Sequence, residues 1–273
     1  MNKKLWLSII LVSVVLVIFV TLNIKKVKLP LPIKGAQVAS IADLTNEATQ
    51  LQAKGSFIET KSIYQRLISE FPNSPQVENW QKKIEDLNIK LLFSPTLTPK
   101  SIIYEIRSGD TLSKIAKNFK TTVELIKRAN RLNEDKILPG RKIKVWTAPF
   151  SIVVDKSQNT LILKSDEEVV KTYIVSTGTN NSTPTGNLKI VEKLINPPWF
   201  KPGSAKPIPP DSPENILGSR WLGLNLPGYG IHGTTESQNL GKQITQGCVR
   251  MSNSDVEELY TIVPIDTEVT IVD

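Results

Sequence analysis

An uncharged run of twenty residues, from Leu5 to Ile24, limits the folds open to this chain more than any other feature. A helix of that length spans about 30 Å, which is the thickness of the hydrocarbon core of a bilayer. The residues just after the run offer no small-x-small cleavage site of the kind that ends a signal peptide. We therefore predict an uncleaved transmembrane anchor at 5–24, within an amino-terminal segment 1–34 that also holds a cytoplasmic tip and a short spacer.

The remainder of the 273 residues has the composition of soluble globular modules, and the length predicts more than one of them. The net charge is +6 over residues 1–101, +6 over 102–149 and −4 over 150–273. A basic surplus of this kind suits an anionic surface such as a membrane or a cell-wall polymer. Nucleic acid is the rival partner, but no aromatic-interleaved basic strand or nucleic-acid motif is present. We predict no nucleic-acid partner.

Cysteine and histidine each occur once, as Cys248 and His232. One cysteine excludes an internal disulfide and a cysteine zinc cluster, and one histidine excludes a His-rich metal site. We expect neither a metal nor an organic cofactor.

Apolar residues recur at helical spacing between residues 35 and 93. The first predicted helix is interrupted at Gly55, the second opens with the capping box Ser56-x-x-Glu59, and the third begins at Ser74-Pro75. The helices resemble a single tetratricopeptide (TPR-like) unit with one helix added. Two interpretations stay open: a plain helical stalk, or a surface that packs on a protein partner. A proline-containing linker follows at 94–101.

The segment 102–147 predicts a small α+β fold with the order strand, helix, helix, strand. Ser108-Gly109-Asp110 supplies a turn and a helix cap, and Thr121-x-x-Glu124 is a capping box for the second helix. With Asn130-Arg131-Leu132 and Ile137-Leu138-Pro139-Gly140, these residues resemble a LysM domain. The resemblance implies binding to glycans that contain N-acetylglucosamine. It makes the following residues candidates for sugar contact: Gly109, Asp110, Thr111, Ile137 and Leu138.

The carboxyl-terminal module, 150–273, predicts a mostly-β fold. Short strands are expected at 151–154, 160–164, 169–175, 189–194 and 268–272, and the capping box Ser254-x-x-Glu257 predicts one short helix. Seven prolines in the 17 residues from Pro197 to Pro213 exclude an interior strand there and predict a lid or cleft wall.

The only thiol and the only imidazole both fall in this module, sixteen positions apart. A thiol becomes a strong nucleophile near neutral pH when an imidazole takes or shares its proton, which is the chemistry of cysteine acyl-transfer enzymes. Gly247 precedes Cys248, and the backbone N–H groups at these two positions are candidates for an oxyanion hole. Taken singly, a cysteine or a histidine is more often a structural residue.

The residues around Cys248 and His232, taken together, favour a catalytic role over a structural one. His232-Gly233-Thr234, followed by Thr245-x-Gly247-Cys248-Val249-Arg250-Met251, resembles the signature of the L,D-transpeptidase (YkuD-type) catalytic domain. Thr183-Pro184-Thr185-Gly186, Asn196-Pro197-Pro198-Trp199 and Trp221-Leu222-Gly223-Leu224 extend the resemblance through the module. One departure is Gln246, where many members have His or Lys, and another is Asn215-Ile216, which replaces a more usual Asn-Pro pair.

The resemblance implies a peptidoglycan-modifying enzyme. Cys248 would attack the amide after the third stem residue and release D-alanine, with His232 as general base and then acid and the Gly233 carbonyl orienting the imidazole. The thioester would pass to an amine acceptor, giving a 3-3 cross-link. Substrate contacts are implied for Arg250, Thr245, Thr234, Tyr229 and Trp199.

The modules make sense together as a single-pass protein of the cell (inner) membrane, with all residues after 24 in the periplasm or extracytoplasmic space. Expected partners are peptidoglycan, the membrane through residues 5–24, and a protein at 35–93 if those helices are not a plain stalk. Two alternatives in function stay open: a cysteine hydrolase (L,D-carboxypeptidase) that trims stems, and a catalytically inactive wall tether.

Overall fold

The structure, a computed structural model, describes residues 39–201, 203–204 and 206–273. The predicted membrane anchor at 5–24 lies outside the described residues. Within them, every helix is too short or too polar to cross a bilayer. Residues Ile41–Asp273 form one unit.

Three helices occupy the first part of this unit: α1 (Ile41–Ala53), α2 (Phe57–Glu70) and α3 (Val77–Leu92). Gly55, with φ of +76°, separates the first two as predicted. The capping box predicted at Ser56 is wrong, because the Ser56 side chain makes no capping hydrogen bond. The third helix begins at Val77 and not at Ser74-Pro75, since Ser74 instead accepts a hydrogen bond from the Gln76 backbone N–H in the preceding turn.

The next four elements, β1 (Ser101–Glu105), α4 (Leu112–Asn118), α5 (Val123–Asn130) and β2 (Lys142–Trp146), confirm the predicted strand, helix, helix, strand order. The two strands pair antiparallel, and the two helices pack on them over a small apolar core. Both predicted caps are displaced toward the helix. Thr111, rather than the preceding turn, accepts the Lys114 N–H, and Thr122, rather than Thr121, accepts the Leu125 N–H.

The carboxyl-terminal module is mostly β, as predicted. Its strands are β3 (Phe150–Asp155), β4 (Thr160–Ser165), β5 (Glu168–Ile174), β6 (Thr177–Gly178), β7 (Gly186–Ile195), β8 (Arg220–Leu224), β9 (Gly230–His232), β10 (Gln243–Thr245), β11 (Val249–Arg250) and β12 (Glu268–Val272). In the described part of the chain, eight of them form one mixed sheet in the order β11-β9-β8-β7-β12-β3-β4-β5, and β6 pairs with β10 separately.

One helix, α6 (Asn253–Ile262), packs on β8 and β9. The capping residue is Ser252, which accepts the Asp255 N–H at 3.1 Å, so the cap predicted at Ser254 is wrong by two residues. Alternate residues of the strands face this helix and the interior, which gives a core rich in Val, Ile and Leu.

The three modules share this core. Leu92 from α3 and Leu125 from α5 are buried in the same cluster as the apolar face of the carboxyl-terminal sheet. Helix α3 also covers the edge strand β5, because the Asn88 side-chain amide donates to the carbonyl oxygens of Val169 and Val170, each at 3.1 Å. The helical segment therefore protects a sheet edge that would otherwise expose unpaired backbone groups.

The proline-rich stretch forms an arm, defined here as residues 196–219, between β7 and β8. Trp199 and Ile208 exchange two backbone hydrogen bonds of 2.8 Å within it. The buried Asn215 side chain donates to the carbonyl oxygens of Pro197 and Pro209 at 3.0 and 3.1 Å. This amide holds the two limbs of the arm together where proline leaves few backbone donors.

Candidate active site

The thiol and the imidazole lie on the same face of the sheet. Strands β9 and β11 run parallel with Ile231 opposite Val249 and His232 opposite Arg250. Ile231 and Val249 are buried in the core below the sheet. Because successive side chains alternate between faces, His232 projects from the opposite face. Cys248 directly precedes β11, and the same alternation puts it on the face of His232.

His232 is 98% buried, and its Nδ1 lies 2.7 Å from the carbonyl oxygen of Gly233. Its ring stacks on the indole of Trp221, with centroids 6.0 Å apart and 24° between the planes. Burial lowers the pKa of His232 to about 4, helped by the positive charge of Arg250 and opposed by the backbone carbonyls of Gly233 and Leu217. The imidazole is therefore neutral at physiological pH and able to accept a proton.

Cys248 is partly exposed, and its Sγ donates a weak hydrogen bond to the carbonyl oxygen of Gly228 at 3.6 Å. Burial raises the pKa of the Cys248 thiol, while a hydrogen bond from the Gly230 backbone and the Arg250 charge act in the opposite direction. Both pKa shifts favour the neutral forms of the thiol and the imidazole.

The turn before the nucleophile is held by Thr245. Its hydroxyl donates to the Cys248 carbonyl oxygen at 2.7 Å and accepts the Gly247 N–H at 3.2 Å. The Gly247 N–H, predicted to serve the oxyanion hole, is engaged by the Thr245 hydroxyl here, and its role there stays a prediction. The N–H of Cys248 is the second candidate donor.

The backbone conformation at position 247 requires glycine. Its φ is +132°, and a Cβ at this position would lie 2.7 Å from Cε1 of Tyr229. Tyr229 therefore packs against the turn that carries the nucleophile.

The other residues predicted to contact substrate are placed differently. Thr245 and Thr234 are buried, and Thr234 accepts the Glu236 N–H within its loop, so the substrate contacts predicted for them stay predictions. Trp199 lies in the arm. Arg250 is largely buried beside His232, 3.9 Å from the Glu236 carboxylate, and its Nε has no hydrogen-bond partner. Of this set, Arg250 and Tyr229 flank the reactive pair.

The candidate glycan-contact residues lie on two neighbouring loops of the βααβ segment. Leu138 is 62% exposed, and Gly109 is exposed in a turn with φ of +83°. Asp110 Oδ2 accepts the hydroxyl of Tyr104 and the N–H of Arg107, both at 2.8 Å, and Thr111 caps α4. The side chains of Asp110 and Thr111 are therefore used in hydrogen bonds within the loop. Gly109, Leu138 and the half-buried Ile137 remain accessible to a ligand.

Sequence reasoning assigned no role to three residues that shape this site: Trp221, Glu192 and Asn253. Trp221 stood inside a quoted motif, and Asn253 follows Arg250-Met251 by two positions. The sequence around Trp221 and Asn253 gives no local signal of their roles. Trp221 contacts residues on neighbouring strands, and Asn253 links a helix to a loop. Among the described residues, no three His, Cys, Asp or Glu side chains converge as a metal site.

Comparisons with known proteins identify the two carboxyl-terminal modules. The family described as the L,D-transpeptidase catalytic domain (YkuD) matches residues 149–271, and the LysM domain family matches 104–146. YkuD of Bacillus subtilis (strain 168), named as an L,D-transpeptidase, is 34% identical over 177 residues, covering 62% of this chain and 98% of that protein. YqjB of the same organism, named likewise, is 38% identical over 128 residues, covering 45% of this chain and 70% of its own length.

Among solved structures, an L,D-transpeptidase from Mycobacterium tuberculosis H37Rv aligns with a TM-score of 0.39 at 15% identity, covering 50% of this chain and 75% of that one. The sequence relationship to YkuD is the decisive one, since it is 34% identical and covers nearly the whole of that relative. The chain belongs to the YkuD family of L,D-transpeptidases, and it carries a LysM domain before its catalytic domain.

Proposed function

We propose that this enzyme forms a thioester between Cys248 and the third residue of a peptidoglycan stem, releases D-alanine, and passes the acyl group to an amine of a neighbouring stem. The observation that supports this most directly is the common sheet face of Cys248 and His232, with the imidazole kept neutral by burial. A neutral base beside a neutral thiol suits a reaction that begins by proton transfer.

The proton steps follow from the hydrogen bonds of the imidazole. With Nδ1–H donating to the Gly233 carbonyl oxygen, the lone pair of His232 resides on Nε2. His232 takes the Sγ proton as the sulfur–carbon bond forms, and then gives it to the nitrogen of departing D-alanine. In the second half, His232 takes a proton from the attacking amine as the amide forms, and returns it to Cys248 as the carbon–sulfur bond breaks.

The negative oxygen of each tetrahedral intermediate needs a donor close to Cys248. The Cys248 N–H serves this role in our proposal, since Thr245 holds the Gly247 N–H. Arg250 adds positive charge beside the pair, and its unpartnered Nε is a candidate donor to a stem carboxylate.

The LysM domain points to peptidoglycan as the partner. We propose that its two exposed loops, with Gly109, Ile137 and Leu138, bind the glycan strand. Leu138→Ser should then reduce the amount of protein retained on purified sacculi, with turnover of small soluble stems unchanged. Retention equal to wild type would remove Leu138 from the glycan site.

We also propose the location inferred above, with residues 5–24 as a single-pass anchor in the cell membrane and the remaining residues outside the cytoplasm. Substrate chemistry supports it, because peptidoglycan is extracytoplasmic. Membrane flotation of the full-length protein and of a variant lacking residues 1–34 tests it. Equal flotation of the two would exclude the anchor. The helical segment needs no separate protein partner in this proposal, since α3 packs on the catalytic sheet.

Incubation of the purified protein with a disaccharide-tetrapeptide tests the reaction. Mass spectrometry should detect released D-alanine and a cross-linked dimer, both lost in Cys248→Ala and reduced to traces in Cys248→Ser. Release of D-alanine without dimers would identify a carboxypeptidase, and no release at all would identify an inactive tether. Full activity of Cys248→Ala would exclude the cysteine mechanism.

A further inference from the structure

A row of residues in register crosses four adjacent strands and ends at the nucleophile. Glu192 on β7 is opposite Gly223 on β8, and Gly223 is opposite Gly230 on β9. The parallel pairing of β9 with β11, continued one residue back from Ile231–Val249, brings Gly230 beside Cys248, and the Gly230 backbone forms a hydrogen bond with the thiol. Residues paired in this way share a face, so the Glu192 side chain lies on the same face of the sheet as the thiol.

A β-bulge puts Glu192 on that face. The register shifts between Ile190 and Glu192, because one extra residue, Val191, is inserted opposite β8. Ile190 is buried in the core and Lys193 reaches the carbonyl oxygens of Tyr260 and Val263 on the helix side. Without the bulge, strict alternation would turn Glu192 toward the core. Bulges commonly re-aim side chains in this way next to active sites.

The two glycines of the row leave space that the Trp221 indole fills. A Cβ on Gly223 would lie 2.8 Å from Trp221 Nε1, and a Cβ on Gly230 would lie 2.6 Å from the six-membered ring of Trp221. The indole thus lies along the row, with its nitrogen end toward Glu192 and its benzene end over Gly230, next to Cys248. It forms an apolar floor about as long as an extended aliphatic side chain.

The Glu192 carboxylate is held at the far end of this floor. Its Oε2 accepts the indole N–H at 3.1 Å, which leans the side chain toward β8 and the nucleophile. Glu192 is exposed, and no ion pair of the described residues includes it. An aromatic floor ending in an unpaired carboxylate has the chemistry of a site for a cationic group on an aliphatic chain.

Resting on the function proposed above, we propose that Trp221 and Glu192 form a subsite for the side chain of the donor's third stem residue, with Glu192 binding its terminal ammonium.

The spacing favours the donor over the attacking amine. Three strand spacings of about 4.8 Å separate the Cα atoms of Glu192 and Cys248 by about 14 Å. Both side chains stand on the same face, and the hydrogen bond to the indole leans Glu192 toward β8, which shortens this gap. An extended diamino-acid side chain places its terminal nitrogen about 7 Å from its own carbonyl carbon, which is the atom bound by sulfur. The attacking amine must instead come within about 3.5 Å of that carbon, where Glu192 does not reach.

A matched pair of donors tests the subsite in the full-length protein. One is the tetrapeptide L-Ala-γ-D-Glu-L-Lys-D-Ala, and the other carries Nε-acetyl-lysine in place of lysine. The initial rate of D-alanine release at donor concentrations below KM, measured with excess methylamine as acceptor, gives kcat/KM for acylation by each donor. We expect wild type to favour the charged donor by about five- to tenfold, the effect of one exposed ion pair with a cation–π contact.

Glu192→Gln should bring the ratio of kcat/KM for the two donors toward one. Glu167→Gln is the control, because Glu167 is an exposed carboxylate at the other end of the sheet, and this variant should keep the wild-type ratio. Calorimetry of both donors with the Cys248→Ala protein gives the same ratio as a difference in Kd, independent of turnover. A ratio unchanged in Glu192→Gln, or a wild-type ratio of one with normal D-alanine release, would overturn the subsite alone. Discrimination confined to the acceptor step would overturn the donor assignment. Release from neither donor would instead overturn the proposed function.

Discussion

The Asn253 side chain accepts a hydrogen bond from the backbone N–H of Ser219, 3.0 Å away, and so ties the first residue of α6 to the end of the arm. Two glycines make room for it: a Cβ on Gly218 or Gly233 would lie 2.3 or 2.2 Å from Asn253 Oδ1. The carbonyls of Leu217 and Gly233, which act on His232, belong to these same two backbone segments. Asn253 is thus placed to position the imidazole indirectly.

Replacing Asn253 should therefore slow the chemical step. Asn253→Leu keeps the size but loses the acceptor, and we expect kcat to fall about tenfold with KM for the donor little changed, the effect of one buried hydrogen bond. Asn253→Asp keeps the acceptor and should restore most of the rate. Its added negative charge should also raise the pKa of His232 and move the acid limb of the kcat/KM profile upward. Equal losses in both variants, with no shift of the profile, would indicate a merely structural role.

Stability should fall in acid because of His232. Its pKa is about 4 in the folded protein against 6.5 for an ordinary histidine, so the unfolded chain binds more protons between these values. The free energy of unfolding is then highest above pH 6.5 and should drop by about 3 kcal/mol as the pH falls to about 4.

Urea unfolding across that range measures the effect, and His232→Gln is the control, because it removes the only histidine. The variant should lose this part of the pH dependence and keep the part due to carboxylates. The same low pKa predicts that the acid limb of activity lies well below pH 6.5. A limb at 6.5 would show that the imidazole is solvated in the working enzyme.

Gly247→Ala should lower kcat/KM at least tenfold. The substitution strains a backbone with φ of +132° and drives a methyl group into Tyr229, so the turn carrying Cys248 has to shift. Gly55→Ala is a matched control, since Gly55 also has positive φ but no atom within 4 Å of an added Cβ. Both variants should lose some stability in thermal unfolding. Only Gly247→Ala should lose activity, and comparable activity in the two would show that the turn tolerates the shift.

Leu125→Ala should destabilise the catalytic module although Leu125 belongs to the LysM segment. This side chain is 99% buried in the core shared with the catalytic sheet, and emptying such a site costs about 2–5 kcal/mol. The loss of D-alanine release with increasing urea measures it. Leu138→Ala, an exposed leucine of the same segment, should change the midpoint little. If the two modules were independent, Leu125→Ala would leave the midpoint of activity loss unchanged.

The sequence analysis missed several short strands and misplaced several helix caps. The strands that were predicted are those whose apolar and polar residues alternate clearly. Strands β8 to β11 were not predicted, because β8 and β9 contain glycine and β9 to β11 have only two or three residues, too few for a periodic signal. Helix caps were misplaced by one or two residues. At three of these helix starts, neighbouring polar side chains compete for the same backbone N–H groups.

The sequence by itself determined the order of the modules and the chemistry available to them. Periodicity and turn residues act over a few positions, and a single cysteine and a single histidine left one possible nucleophile and base pair. Tertiary structure alone decided that Cys248 and His232 share a sheet face, that Glu192 joins them through a bulge, and that α3 covers the edge strand β5. Each of these depends on register or packing between segments far apart in the chain, and register is set by which partner strand buries its apolar face and not by local preference.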